Sequence, residues 1–338
     1  MRSFEWMSPV ELQDVLATSF DTVAGAVAMN AEADVVKAGG IDLLGLMKED
    51  LIAPRTVIDL RGVPGLDLIK TEHSGGVRIG ALATVAAIAR HPLITSRYPC
   101  LADAAGASGS PQIRNVATVG GNLLQRPRCW YFRSKHHHCL KKGGTHCFAL
   151  PGENQYHAVF DNRPCAIVHP STLATPLVAL GATLELRCGE GTTRRVALED
   201  FLLLPQSDPH CENDLKPNEI LMAIGVPPLP AGAGTAYLKQ GGQDAFDWPL
   251  AEVAVRLDLG ADGICKNAVV ILGAAAPVPH RARKAEHALT GRRIDESVAR
   301  EAGRRSVSGA TPLAKNAYKL PLFETLTRRA VLKAVSGR

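Results

Sequence analysis

The chain has 338 residues, 46% hydrophobic and 21% charged, with a net charge of +5 at pH 7. These proportions fit a soluble globular protein of two or three domains and exclude a disordered or fibrous chain. The basic excess is densest around Arg292–Arg305 and towards the C-terminal end, without interleaved aromatic residues. It reads as a solvated helix face, and no nucleic-acid partner is expected.

In chain order, a short strand-like start is followed by a predicted helix capped by Ser8 with Pro9 at its first position. The acidic residues Glu5, Glu11 and Asp14 leave no apolar signal core, so a cytoplasmic protein is the default expectation. Export to the periplasm with a signal-bearing partner is the alternative. Strands are predicted at Asp34–Lys37 and Thr56–Asp59, on either side of a helix Asp42–Glu49. A strand Val77–Ile79 precedes a helix with Thr84 as N-cap and Val85, Ile88 and Ala89 as its apolar stripe. A small-residue helix over Cys100–Gly109 leads into a loop, SPQIRNVATVGGNLL.

Further on, strands Ala166–Val168 and Thr183–Arg187 are predicted to flank a helix Leu173–Leu180. The apolar stretch Ala166–Leu184 contains His169, two prolines and several hydroxyls, so no membrane span is expected. The Pro/Gly-rich stretch Val226–Tyr237 is the clearest domain boundary. After it come strands Ala251–Leu259 and Asn267–Gly273, joined by a turn at Gly260–Gly263. Helices Ala282–Leu289, Asp295–Val307 and Leu322–Val335 follow.

Two glycine pairs stand beside strands. Lys37–Ala38–Gly39–Gly40–Ile41–Asp42 joins a strand to a helix whose positive end suits an anion. Thr118–Val119–Gly120–Gly121–Asn122 sets glycines beside a hydroxyl and an amide. Neither fits the nicotinamide or P-loop signature, and each alone is compatible with a plain turn.

Cys129, Cys139, Cys147 and Cys165 fall together, spaced x9, x7 and x17, whereas Cys100, Cys188, Cys211 and Cys265 are isolated. Without a secretory signal the clustered four read as metal ligands rather than disulfides. No C-x2-C knuckle is present, which disfavours a zinc ribbon. Mixed-ligand zinc using His136, His137, His138 or His146, and no metal at all, are the competing readings.

Several segments resemble the FAD-binding subunits of the xanthine dehydrogenase family. K-A-G-G-I-D-L-L at Lys37–Leu44 is similar to their A-G-G-T-D-L-L motif, and I-R-N-V-A-T-V-G-G-N-L at Ile113–Leu123 to their second flavin motif. Ile79–Thr84, His169–Ala182, Asn218–Leu221, the Y-x-K of Tyr237 and Lys239, and Pro279–Glu286 match in order.

The resemblance implies an α+β fold with a two-subdomain, vanillyl-alcohol-oxidase-like FAD-binding region over 1–226 and a small C-terminal α+β domain over 235–338. It implies FAD held by Lys37, Ala38, Gly39, Gly40, Ile41, Asp42, Leu43 and Leu44, together with Thr84, Asn115, Thr118, Gly120, Gly121 and Asn122. Thr172, Leu221 and Lys239 would lie near the flavin. Three departures stand out: Ile41 replaces the family's threonine, Thr172 replaces its aspartate, and Gln240–Gln243 replaces an arginine-containing stretch.

Gln125–Arg133 and Cys165–Ser171 resemble a branch that includes bacterial aldehyde oxidoreductases and hydroxybenzoyl-CoA reductases. That branch carries an extra [4Fe–4S] cluster in an insertion, here at about 125–168, on Cys129, Cys139, Cys147 and Cys165. The implied role is electron relay. A molybdenum-cofactor large subunit oxidises substrate, a [2Fe–2S] small subunit passes the electrons on, and FAD on this chain delivers them to an external acceptor. No proton-transfer catalyst is expected here. A stand-alone flavin oxidoreductase and a metal-stabilised binding module are the alternatives.

Overall fold

The computed structural model describes residues 2–29, 32–189, 191–243 and 246–336. The first of its sheets is parallel: β1 (Glu5–Met7) and β2 (Val35–Lys37) flank β3 (Thr56–Asp59). Parallel neighbours need a crossover, and the helix Ile41–Lys48 supplies one while burying Leu43, Leu46 and Met47. Val57 and Ile58 on β3 are fully enclosed, a contribution of roughly 1.5–3 kcal/mol for each such side chain.

The second sheet joins β4 (Ile69–Thr71), β5 (Val77–Gly80), β6 (Thr183–Cys188), β7 (Thr193–Ala197) and β8 (Glu219–Val226) in the order β4-β5-β8-β6-β7. All its pairings are antiparallel. Its core includes Ile79, Ile224 and Leu184, with Ile88, Leu101 and Leu177 from the helices Val85–Arg90, Pro99–Gly106 and Ala174–Ala179.

The third sheet is an antiparallel array of β9 (Ala233–Gln240), β10 (Ala251–Leu259), β11 (Cys265–Gly273) and β12 (His280–Arg281). Side chains alternate across a strand. Val253, Val255 and Leu257 on one face of β10 join Phe323, Ala330 and Val331 of the helix Lys319–Ser336. On the other face, Ala254 joins the core of the second sheet. The face of β10 turned to the helix is wholly apolar, whereas its other face carries Glu252, Arg256 and Asp258 beside Ala254.

The predicted strands Thr56–Asp59 and Ala251–Leu259 form over those residues. Three expectations fail. The first helix starts at Leu12 rather than Pro9, because the Ser8 hydroxyl accepts from Trp6 Nε1 at 2.7 Å instead of capping a helix. The expected loop after Gly109 contains two short helices, Pro111–Val116 and Val119–Leu123, capped by Ser110 and Thr118. Ala166–Val168 forms no strand: Ala166 accepts from Ala158 N–H, and His169 N–H donates to Ala276, so scattered loop contacts replace a ladder.

Candidate cofactor site

At the end of β2, Gly40 adopts a left-handed conformation (φ +84°) and opens the helix Ile41–Lys48. A Cβ on Gly39 would lie 2.2 Å from the Val116 carbonyl oxygen, so only glycine lets this loop pack on the second glycine segment. Helical bonding starts with Leu44 N–H donating to Gly40. Among the described residues the amides of Ile41, Asp42 and Leu43 have no partner and are open to an anion. Lys37 is not a freely available phosphate ligand. Its buried Nζ donates to Asp59 Oδ1 at 3.0 Å and to the Ala38 carbonyl at 2.9 Å. Burial holds its pKa below the ordinary lysine value. Burial works to raise the Asp59 pKa, but bonds from Arg61 and Lys37 outweigh it and leave that carboxyl below its ordinary value.

The second glycine segment is built differently. Val119 N–H donates to Ala83, Gly120 N–H to Ala81, Asn122 N–H to the Thr118 carbonyl, and Gly121 N–H to Thr118 Oγ1 at 3.1 Å. Its amides are consumed internally, so it offers close approach and side-chain groups rather than an amide cradle. A Cβ on Gly120 would meet the Ala81 carbonyl oxygen at 2.9 Å. Ser171 Oγ donates to Asn122 Oδ1 at 2.6 Å and fixes the amide.

Both segments line one cleft of about 410 Å³, a usual size for a small-molecule site. Lys37, Ala38, Gly39, Gly40, Ile41, Asp42, Leu43, Thr118, Gly120, Gly121, Asn122, Thr172, Leu221 and Lys239 all face it. Leu44, Thr84 and Asn115 fall outside the lining. Thr84 instead caps its helix by accepting from Ala87 N–H at 3.1 Å, and Asn115 is exposed on the helix Pro111–Val116.

Sequence reasoning missed Arg128, Phe246 and Trp248, which also line the cleft. The Arg128 guanidinium lies 4.9 Å from the Trp248 ring centroid. The missed Glu252 stands behind Thr172 and accepts its hydroxyl at 2.7 Å. The chain separation of these pairs hid them, although the lone glutamate in the apolar AEVAV run of β10 was a visible signal.

The cysteine-rich insertion borders the cleft through Arg128. Interaction with the Cys165 thiol, against the effect of burial, lowers the Cys147 pKa to about 6, and the same interaction together with burial raises that of Cys165. Burial pushes Cys129 up to about 12, with Cys147 and Cys139 adding to the rise. Burial also raises Cys139, opposed by Lys142. Each of the four thiols therefore feels at least one of the others. Among the described residues no three His, Cys, Asp or Glu could jointly hold a single metal ion. His137 and His146 pack on Phe148, which gives the mixed-ligand zinc alternative no support. Arg126 and Lys141, both 1% exposed, share Glu212 at 3.1 and 2.6 Å. His157 Nε2 lies 3.2 Å from Cys129 Sγ.

Residues 2–229 match the family model for the FAD binding domain in molybdopterin dehydrogenase, and residues 236–334 match the CO dehydrogenase flavoprotein C-terminal domain. The chain is 37% identical over 287 residues to the aldehyde oxidoreductase FAD-binding subunit PaoB of Escherichia coli (strain K12), covering 84% of this chain and 86% of that protein. It is 26% identical over 301 residues to the carbon monoxide dehydrogenase medium chain of Afipia carboxidovorans, covering 88% and 87%. The fold is shared with a chain of quinoline 2-oxidoreductase from Pseudomonas putida 86, at TM-score 0.73 and 24% identity over 99% of this chain and 98% of that one. It is likewise shared with a chain of the cyanide-inactivated Cu,Mo-CO dehydrogenase, at TM-score 0.74 and 24% identity over 100% and 99%. The chain therefore belongs to the FAD-binding subunits of the molybdopterin dehydrogenase family.

Proposed function

We propose that this chain is the FAD-carrying electron-transfer subunit of a heterotrimeric molybdenum hydroxylase. Its partners are a molybdenum-cofactor large subunit and a [2Fe–2S] small subunit, and its substrate class is aldehydes, as the name of the PaoB relative suggests. The carrying observation is the convergence of both glycine segments on one cleft, with the Ile41–Leu43 amides unpartnered at its edge. A dinucleotide fits this arrangement. The amides would hold its phosphates, Gly39 and Gly120 let the two segments pack closely against the Val116 and Ala81 carbonyls so that they share one wall, and Asn122, Thr172 and Lys239 offer further polar groups in the cleft. When bound, FAD supplies the ability to take electrons from one-electron centres and pass them to an external acceptor. The chain's own residues bind, orient and tune.

The proposal includes a [4Fe–4S] cluster on Cys129, Cys139, Cys147 and Cys165. Mutual influence among the four thiols supports it, as does the surplus of buried positive charge. Lys141 and Lys142 are buried beside Cys165 and Cys139, and Glu212 is the one anion that Lys141 and the buried Arg126 share. A cluster with four thiolate ligands would offset that charge.

Purification of the complex under anaerobic conditions tests both parts. The expected preparation contains three subunits, molybdenum, FAD, and iron with acid-labile sulfide in excess of the small subunit's share. Cys147→Ser should lower the iron and sulfide contents and leave FAD in place. A flavin-free, iron-free chain would overturn the reading in favour of a binding module. An active flavoprotein without partners would instead point to a stand-alone oxidase.

A further inference from the structure

We propose that Glu252 is the proton-holding group of the cleft and that the Thr172 hydroxyl is its only contact with the cofactor. This inference rests on the flavin reading above. Glu252 lies on the face of β10 that looks towards the cleft region, two residues from Ala254. It is 1% exposed and does not itself line the cleft, whereas Thr172 does. Its carboxyl takes Thr172 Oγ1 on Oε1 at 2.7 Å and Thr175 Oγ1 on Oε2 at 3.2 Å. Across the sheet it sits opposite Lys239 on β9 and Gly273 on β11. A Cβ on Gly273 would come within 2.4 Å of Glu252 Oε2 and 2.3 Å of Thr175 Oγ1, so the missing side chain makes room for the carboxyl.

A buried carboxyl with two hydroxyl partners and no direct ion pair favours its acid form more than an exposed carboxyl does, because burial penalises the charge. Burial raises its pKa, against the bonds from Thr172 and Thr175, the nearby Tyr237 phenol and the charge of Lys239. Lys319, on the C-terminal helix, also feels its charge. As a carboxylate, Glu252 accepts from Thr172. As an acid it can donate to Thr172 Oγ1, and the rotatable Thr172 proton then turns into the cleft.

Reduction of a flavin by an iron–sulfur reductant brings electrons without protons. Glu252 would release its O–H proton to Thr172 Oγ1 while Thr172 passes its own hydroxyl proton to the cofactor, leaving Glu252 as the carboxylate. The reverse transfer accompanies reoxidation by the external acceptor. One O–H bond breaks at each oxygen and one forms at Thr172, so the hydroxyl is regenerated.

The test is the midpoint potential of FAD in the intact complex between pH 5.5 and 9, followed by flavin absorbance. The wild type should show a bend in potential against pH where Glu252 titrates. Glu252→Gln should retain FAD and lose the bend. Thr172→Ser should keep the bend, and Thr172→Val should remove it. Should Glu252→Gln not accumulate, Thr172→Val carries the same test with the carboxyl intact. A bend that persists in a flavin-loaded Glu252→Gln or Thr172→Val protein would overturn the proposal, as would a wild type with no bend. Loss of FAD from a folded Glu252→Gln protein would also overturn it by making the role structural. A wild-type complex lacking flavin would instead sink the underlying flavin reading.

Discussion

Arg128 Nη1 lies 2.8 Å from Asp42 Oδ1, joining the residue before Cys129 to the first turn of the helix that follows the Gly39–Gly40 loop. Arg133 Nη2 reaches the same oxygen at 2.7 Å, and the Arg126 backbone N–H donates to Oδ2 at 2.7 Å. One carboxylate thus clasps the insertion to the loop. Removing it in Asp42→Ala leaves two half-buried guanidinium groups without their anion. A stability loss of about 2–3 kcal/mol is expected, below the ~3–5 for a fully buried pair because Arg128 keeps some solvent contact. Thermal unfolding together with iron content checks this; an unchanged midpoint with full iron would refute the clasp.

Gly39 and Gly45 lie six residues apart and should respond oppositely to alanine. At Gly39 the new methyl would strike the Val116 carbonyl oxygen at 2.2 Å, displacing the loop. Gly39→Ala should give folded protein with at least tenfold weaker FAD retention on dialysis. At Gly45, inside the helix Ile41–Lys48, nothing lies within 4 Å, so Gly45→Ala should keep FAD and gain up to about 1 kcal/mol from helix propensity.

Glu212 balances two buried cations, and Glu212→Gln removes that balance. Leaving Arg126 and Lys141 unpaired should cost about 3–5 kcal/mol in the cluster-free protein. With a cluster assembled nearby the cost should be smaller, because its negative charge takes over part of the role. Comparing unfolding midpoints of the two forms reads the difference directly; equal losses would count against an anionic cluster beside these residues.

Lys319 gives a pH signature. Burial pushes its pKa down to about 7, whereas an exposed lysine titrates near 10.4. Between these values the unfolded chain binds more protons than the folded one, so the Lys319 contribution to stability rises with pH. The slope is roughly 1.4 kcal/mol per pH unit across that window, with no change below it. Denaturant unfolding of wild type and Lys319→Met at pH 7 and 9.5 checks the sign: the difference should shift in favour of wild type as pH rises. A constant difference would show that the amine stays charged throughout.

Local signals carried much of this protein. The β-branched run of β3, the Thr84 cap and the glycine turn at Gly40 are visible in a few neighbouring residues. The helices after Gly109 were hidden because Pro111 and the Gly120–Gly121 pair look like breakers. Yet Ser110 and Thr118 are good N-cap residues, and Pro111 occupies a first helical turn, where it is tolerated. The Thr172–Glu252 bond was not legible, since the two lie 80 residues apart and only the packing of the turn before the helix Ala174–Ala179 against β10 brings them together. The differing roles of the two glycine segments were likewise closed to sequence reading, because they depend on where each amide hydrogen goes.

The insertion's attachment to the far end of the chain governs the order of events during synthesis. The His157 carbonyl accepts from Asn316 Nδ2 at 3.0 Å and Lys319 Nζ at 3.3 Å, and Asn154 Oδ1 accepts from Lys315 N–H at 3.0 Å. His157 in turn touches Cys129. The loop bearing the thiols therefore cannot reach its final packing until residue 319 has left the ribosome, long after the glycine segments have emerged. The insertion completes its packing only once these later contacts can form, and loss of Asn316 and Lys319 would loosen a loop more than 150 residues upstream.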